Sequence, residues 1–191
     1  PAALVAAPRL LPIARDDPAS LRAAFDAAEG ADLIVTLGGA SVGDHDLVRQ
    51  VAGDEGLSLD FYRVAMRPGK PLMAGRLRGI PMVGLPGNPV SAIVCGHVFL
   101  RPAVDALLGL PAGPLPRETA RLAAPVAANG PREHYARAAL RQGETGETLV
   151  DVARRQDSSL LSVLAEAQAL CVLPAGWPAQ AAGTEVSIIR I

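Results

Sequence analysis

The sequence predicts an α/β domain with a mainly parallel sheet, followed by a small β-barrel or sandwich. Two observations predict the first part. Short apolar runs alternate with segments of helical periodicity as far as Leu108, and glycine or proline turns separate them. A third observation sets off the second part. Residues 109–116 (GLPAGPLP) form a proline- and glycine-rich connector, and the remaining residues carry only short alternating segments between turn signals. The expected division is a first domain over 1–110, a linker over 111–116 and a second domain over 117–191. A hinge between Leu110 and Arg117, with a separate core beyond it, follows from that division.

Each element has a local reason. Residues 9–14 (RLLPIA) read as a short strand. Asp17 before Pro18 suits an N-cap followed by the first helical position, where proline has no N–H to leave unpaired. Leu21, Ala24, Phe25 and Ala28 recur at helical spacing, and Gly30 closes that helix. The run 32–37 (DLIVTL) suits a strand covered on both faces. A helix over 46–55 follows, then strands over 59–66, 72–78 and 80–85. Residues 90–108 read as a long apolar helix with a kink or register break at Pro102. Beyond the connector, strands are expected over 117–127, 134–141, 148–153, 169–173 and 185–191, with a small helical patch over 159–167.

Composition narrows the function. The chain has 191 residues, 18 Lys plus Arg against 19 Asp plus Glu, and a net charge of −1, which excludes a broad footprint for nucleic acid or an anionic membrane. Half the residues are hydrophobic and 3% are aromatic, so the core is built from Ala, Val, Leu and Ile. The two cysteines, Cys95 and Cys171, make neither a disulfide framework nor a zinc motif, and read as core. No apolar run is expected to reach the ~18 residues of a membrane span, and no cleavable leader is evident. Small-molecule substrates, a cytoplasmic location and no nucleic-acid or membrane partner are the expectations. The chain starts at Pro1 inside a helix-like stretch, so it reads as the C-terminal portion of a longer protein.

Four segments could carry chemistry. Gly38, Gly39, Ser41 and Gly43 lie in GGASVG, between a strand and a helix, where open α/β sheets bind ligands. Glycines let the backbone approach an anion, and the helix start offers unpaired N–H groups; a tight strand-to-helix turn is the alternative. Asp46 just beyond this loop, and Asp16 at the end of an earlier strand, would reach one carboxyl edge if their strands are neighbours. Two carboxylates there are what Mg²⁺ requires, with water completing its shell. Arg63, Arg67 and Lys70, the only lysine, sit on or beside the proline-stiffened stretch 67–71 (RPGKP), which would hold cations in place; an exposed basic turn is the alternative. Pro86, Gly87, Asn88 and Pro89 form a fourth turn at the end of a strand and the start of a helix.

Taken together, the segments RDDP (15–18), GGASVGDHD (38–46), MRPGKP (66–71) and LPGNPVSA (85–92) resemble the molybdopterin molybdenumtransferases, the MoeA and gephyrin E-domain family. The resemblance implies a three-layer molybdopterin-binding domain followed by a small β-barrel. It implies insertion of molybdate into adenylylated molybdopterin with release of AMP, by an enzyme that is commonly a homodimer. It places Mg²⁺ near Asp16 and Asp46, and cations at Arg63, Arg67 and Lys70. In the second domain, Arg137 and Ser158 match positions implicated in anion or substrate handling. The family's α/β domain begins with a further strand carrying a TGDE-type loop, which this sequence lacks, so the chain by itself is expected to be inactive. Two other readings are a pterin-binding or scaffolding module without turnover, and an α/β domain of the competence-damage type.

Overall fold

The protein is described by a computed structural model covering residues 6–39, 47–157 and 159–191. Ser41, Gly43, Asp46 and Ser158 lie outside these described residues. The first helix, α1 (Pro18–Ala27), starts as the sequence dictates: the Asp17 carboxylate accepts from the Ser20 N–H at 2.8 Å, and Pro18 takes the first turn. Its buried face, Leu21 and Phe25, packs with α2 (Leu47–Asp54) on one side of a four-stranded sheet. That sheet comprises β1 (Ile34–Leu37), β2 (Leu57–Tyr62), β4 (Met73–Leu77) and β5 (Ile80–Leu85), in the order β1-β5-β4-β2.

The sheet is mixed rather than mainly parallel. Within this sheet, among the described strands, only β1 and β5 run parallel, while β4 pairs antiparallel with both β5 and β2. The reason is local. Arg78 and Gly79, both at positive φ, turn β4 straight back into β5, and a tight hairpin can only join antiparallel neighbours. Residues 9–14 form no strand: they run as irregular chain, with Leu10 97% and Ile13 98% exposed. Pro8 and Pro12 supply no donors to a ladder, and the segment is tethered instead by Arg9, which donates to the Glu29 carbonyl at 3.4 Å.

The long helix is one run with an interruption. It consists of α3 (Pro89–Cys95), a π turn (Gly96–Leu100) and α4 (Arg101–Leu107). The Arg101 N–H reaches back five residues to the Gly96 carbonyl. This extra residue per turn sits just ahead of Pro102, whose missing N–H and bulky ring a regular turn would not accommodate. The run Pro89–Leu107, of mean hydropathy 1.4, is therefore long and apolar enough to cross a membrane by length and composition, contrary to the expectation that no such run existed. Val90, Val94 and Cys95 of its first half are buried in the core.

Beyond the connector come β6 (Glu118–Leu122), β7 (Glu133–Gln142), β8 (Thr148–Val152), α5 (Leu161–Ala165), β9 (Ala169–Leu173) and β10 (Glu185–Arg190). The order β7-β8-β6-β10-β9 closes through a β7–β9 pairing into a five-stranded barrel. Its interior is filled by small and branched side chains such as Ala120, Ala136, Ala138, Val150 and Ile188, as the scarcity of aromatics requires. A second core is shared by the two parts of the chain. Met66, Leu72, Val90 and Cys95 from the first part pack with Tyr135, Leu170, Val172 and Ile189 from the barrel. The two residues of β3 (Met66–Arg67) also pair in parallel with Glu133 and His134 of β7. The barrel thus joins the α/β part by side-chain packing and by backbone hydrogen bonds.

Gly69 makes this joint possible. It is buried at φ +107, and a Cβ there would lie 2.3 Å from the Cys95 sulfur. Substituting Gly69→Ala should cost about 2–4 kcal/mol, from overpacking plus a left-handed backbone. Adding Cys95→Ala should recover the packing part and leave the backbone part. Urea melts of the two single variants and the double variant measure this coupling.

Candidate functional site

Two loops converge at the carboxyl ends of the parallel pair β1 and β5. Gly38 and Gly39 leave β1 at φ +85 and +72, and the Gly38 N–H donates to the Leu85 carbonyl at 3.0 Å. A Cβ on Gly87 would lie 3.2 Å from the Gly38 Cα, so the two backbones touch with no side chain between them. Pro86 is buried beneath, while Gly87 and Gly39 are exposed. Asn88 caps α3, its side-chain oxygen accepting from the Ser91 N–H at 3.2 Å, and Pro89 occupies the first turn. The capping role settles which way the amide oxygen points. The result is an open shelf of backbone at the strand ends, the place where α/β sheets hold anionic ligands.

The cations lie on a second structure. Arg63 and Leu72 face each other across a loop, the Arg63 N–H donating to the Leu72 carbonyl at 2.8 Å and the Val64 N–H to the Lys70 carbonyl at 3.1 Å. Arg67 and Lys70 are exposed on this loop, with Gly69 anchored underneath. Arg63 has φ +77, and its guanidinium carbon lies 5.0 Å from the centre of the Tyr62 ring. Arg49, from α2, lies 5.2 Å from the same ring. Asp16 is exposed at the approach to α1, and its neighbour Asp17 has taken the capping role. Among the described residues no group of three or more His, Cys, Asp or Glu gathers as for a metal ion.

Arg137 is 1% exposed, and its hydrogen bonds are spent inside the protein. The guanidinium donates to the Gln156 side chain at 3.3 Å, to the Asp157 carbonyl at 2.9 Å and to the Leu160 carbonyl at 3.0 Å. Gln156 returns its amide to the Arg137 carbonyl at 2.9 Å. Arg137 therefore ties Gln156, Asp157 and Leu160 to the barrel. Burial lowers its pKa, with Arg67 adding to that and the Asp157 carboxylate opposing it.

Residues 4–106 match the family described as "Probable molybdopterin binding domain", and residues 119–191 match the MoeA C-terminal region, domain IV. The chain belongs to the MoeA family. Molybdopterin molybdenumtransferase 2 of Mycobacterium tuberculosis H37Rv is 37% identical over 183 residues, covering 92% of this chain and 44% of that protein. The molybdopterin molybdenumtransferase of Nostoc is 33% identical over 191 residues, covering 97% of this chain and 44% of the relative. The chain thus spans less than half the length of these relatives. The MoeA crystal structure from Pyrococcus horikosii superimposes with a TM-score of 0.72 at 27% identity, over 93% of this chain and 42% of that one.

Two features of this MoeA chain were not evident in its sequence. One is the Arg49–Tyr62–Arg63 stack, which joins α2 to the end of β2; a Tyr-Arg pair alone gives no hint of a second arginine from another element. The other is His134, 8% exposed on β7. Burial pushes its pKa down from 6.5 to about 4, and Arg67, Arg137 and Arg132 push the same way. Arg132 and Arg137 are near His134 in the chain, and the pairing of β3 with β7 adds Arg67 to them.

Two outcomes follow from these contacts. The unfolded chain binds a proton on His134 near pH 6.5, whereas the folded chain resists it until about pH 4. Stability should therefore be complete above pH 6.5 and fall as pH drops toward 4, by on the order of 2–3 kcal/mol. Chemical denaturation across this range should show a smaller slope in His134→Gln. Arg137→Met should lower stability by about 2–4 kcal/mol through the orphaned carbonyls of Asp157 and Leu160. A denaturation midpoint unchanged from wild type would contradict that positioning role.

Proposed function

We propose that this chain is the C-terminal portion of a molybdopterin molybdenumtransferase, acting in insertion of molybdate into adenylylated molybdopterin with release of AMP. The observation that carries the reading is the bare contact of Gly38 with Gly87, which makes one backbone shelf from two loops at adjacent strand ends. Such a shelf lets a phosphate-bearing ligand come close to the backbone with no Cβ in the way. The named relatives are molybdenumtransferases, which fits this choice of ligand.

In this reading Gly38, Gly39, Ser41, Gly43 and the turn from Pro86 to Pro89 position the adenylylated pterin. Arg67 and Lys70, with Arg63, offset the negative charge of molybdate and of the phosphoanhydride as AMP leaves. Arg137 and Ser158 belong to the same binding function, Arg137 by tying down Gln156, Asp157 and Leu160. Asp16 and Asp46 would hold Mg²⁺. Hard carboxylate oxygens with water suit that ion, and the Asp16 carboxylate is exposed and left free of helix capping by Asp17. When bound, the ion would polarise a phosphoryl oxygen. The enzyme is proposed to work as a cytoplasmic homodimer, with the exposed apolar residues Ile93, Leu107 and Leu108 along the long helix offering contact area.

The test uses the complete protein with adenylylated molybdopterin, molybdate and Mg²⁺, reading AMP release. Asp46→Asn should slow release roughly 100-fold, about 2.7 kcal/mol of transition-state stabilisation, with little change in thermal midpoint. Gly87→Val, which would place a branched side chain against Gly38, should weaken pterin binding about tenfold or more. Chelation should stop turnover, and added Mg²⁺ should restore it. A protein that binds the pterin yet never releases AMP is a binding module, and the enzyme assignment then fails.

A further inference from the structure

His134 stands where the two parts of the molecule join. Its backbone faces Arg67 across the β3–β7 pair and Leu173 across the β7–β9 pair. Arg132 donates to the carbonyl of Met66, the residue beside Arg67, at 3.5 Å. Arg137 lies further along β7, within electrostatic reach of both His134 and Arg67.

The carboxylates of the same region are engaged elsewhere. Glu133 accepts from the Tyr135 hydroxyl at 2.6 Å and pairs with Arg117 at 3.4 Å. Asp157 accepts from the Ser159 N–H and hydroxyl, both at 2.9 Å, beside Arg137. On β9 the nearby Cys171 is buried, and burial pushes its thiol up to about 12, so it carries no charge at neutral pH. His134 is therefore paired with Arg67 across the two strands, with Arg132 and Arg137 within electrostatic reach, while the carboxylates named above are engaged elsewhere. Burial first, and the field of these arginines after it, favour the neutral ring. A dianion brought to Arg67 and Lys70 offsets the same field, and the charged ring becomes easier to form.

We infer that His134 takes up a proton when an oxyanion seats on the Arg67–Lys70 turn, so that anion binding there is coupled to pH. This rests on the oxyanion role proposed above for that turn. The proton comes from solvent and stays on the imidazole; no bond to the anion forms or breaks. By reciprocity, if the anion favours the proton, the proton favours the anion to the same degree. Affinity should then rise as pH falls, by at most tenfold per pH unit for a single proton.

Sulfate is a suitable probe, because it remains a dianion across the working range and any proton taken up belongs to the protein. Titration calorimetry of the complete protein with sulfate, in two buffers of different protonation enthalpy, reads affinity and proton uptake together. Wild type should bind about two- to fourfold more tightly at pH 4.5 than at pH 7.5, with a fractional proton uptake, since the anion offsets the arginine field and leaves the burial in place. In His134→Gln the uptake should vanish, and in Arg67→Gln binding should weaken at every pH. The His134 ring signal in proton NMR should titrate at higher pH with saturating sulfate than without. That measurement on wild type decides the matter even if His134→Gln fails to fold. Sulfate binding with no pH dependence, or an unmoved ring pKa, would overturn the coupling while leaving the oxyanion role intact. Failure of both sulfate and molybdate to bind at any pH would overturn both.

Discussion

The joint between the sheet part and the barrel rests on the turn from Met66 to Pro71. Its first two residues hydrogen-bond to the barrel strand β7, its glycine sits on the Cys95 sulfur of the long helix, and Met66 and Leu72 fill the shared core. A basic turn on a protein surface is ordinarily mobile. Here backbone pairing and buried neighbours fix it, so Arg67 and Lys70 are presented without the entropy loss that ordering a free loop would cost on binding. The same contacts bury the barrel's outer apolar face, beyond the core it has inside. Tyr135, Leu170 and Ile189 complete their burial against the other part.

Two kinds of support meet near the candidate site. At the glycine shelf, shape does the work: Gly38 and Gly87 approach because neither has a side chain, and Asn88 fixes the start of the helix behind them. At the barrel, charge does it: a buried arginine ties down Asp157 and Leu160, and a buried histidine stands beside the cationic turn. Removing one partner from a buried polar arrangement is costly, so these groups constrain where the ligand-facing residues lie without touching ligand themselves.

What the sequence made legible was whatever local chemistry decides. The Asp17–Pro18 helix start, the strand Ile80–Leu85, the Asn88–Pro89 helix start and the burial of Cys95 and Cys171 all follow from nearby residues. Residues 9–14 misled because an apolar hexamer reads as a strand until Pro12 within it and Pro8 just before it are weighed as missing donors. The mixed sheet was missed because Arg78-Gly79 looked like a break between strands rather than a hairpin turn. The meeting of Gly38 with Gly87 was legible as two separate motifs. Their contact depends on β1 pairing with β5, a strand that follows it only after three others. His134 was invisible as a site residue, since nothing around it in the chain announces burial.

Lys70 carries a consequence of a different kind. It is the only lysine in these 191 residues, and it projects from a turn whose backbone is anchored on both sides. Its ε-amine therefore gives the chain one side-chain address for amine-selective reagents. A fluorophore or isotope-bearing acyl group attached there would report from a defined point. Because acylation also abolishes the charge, the labelled protein would be a chemical counterpart of a charge-removing substitution, made without altering the gene.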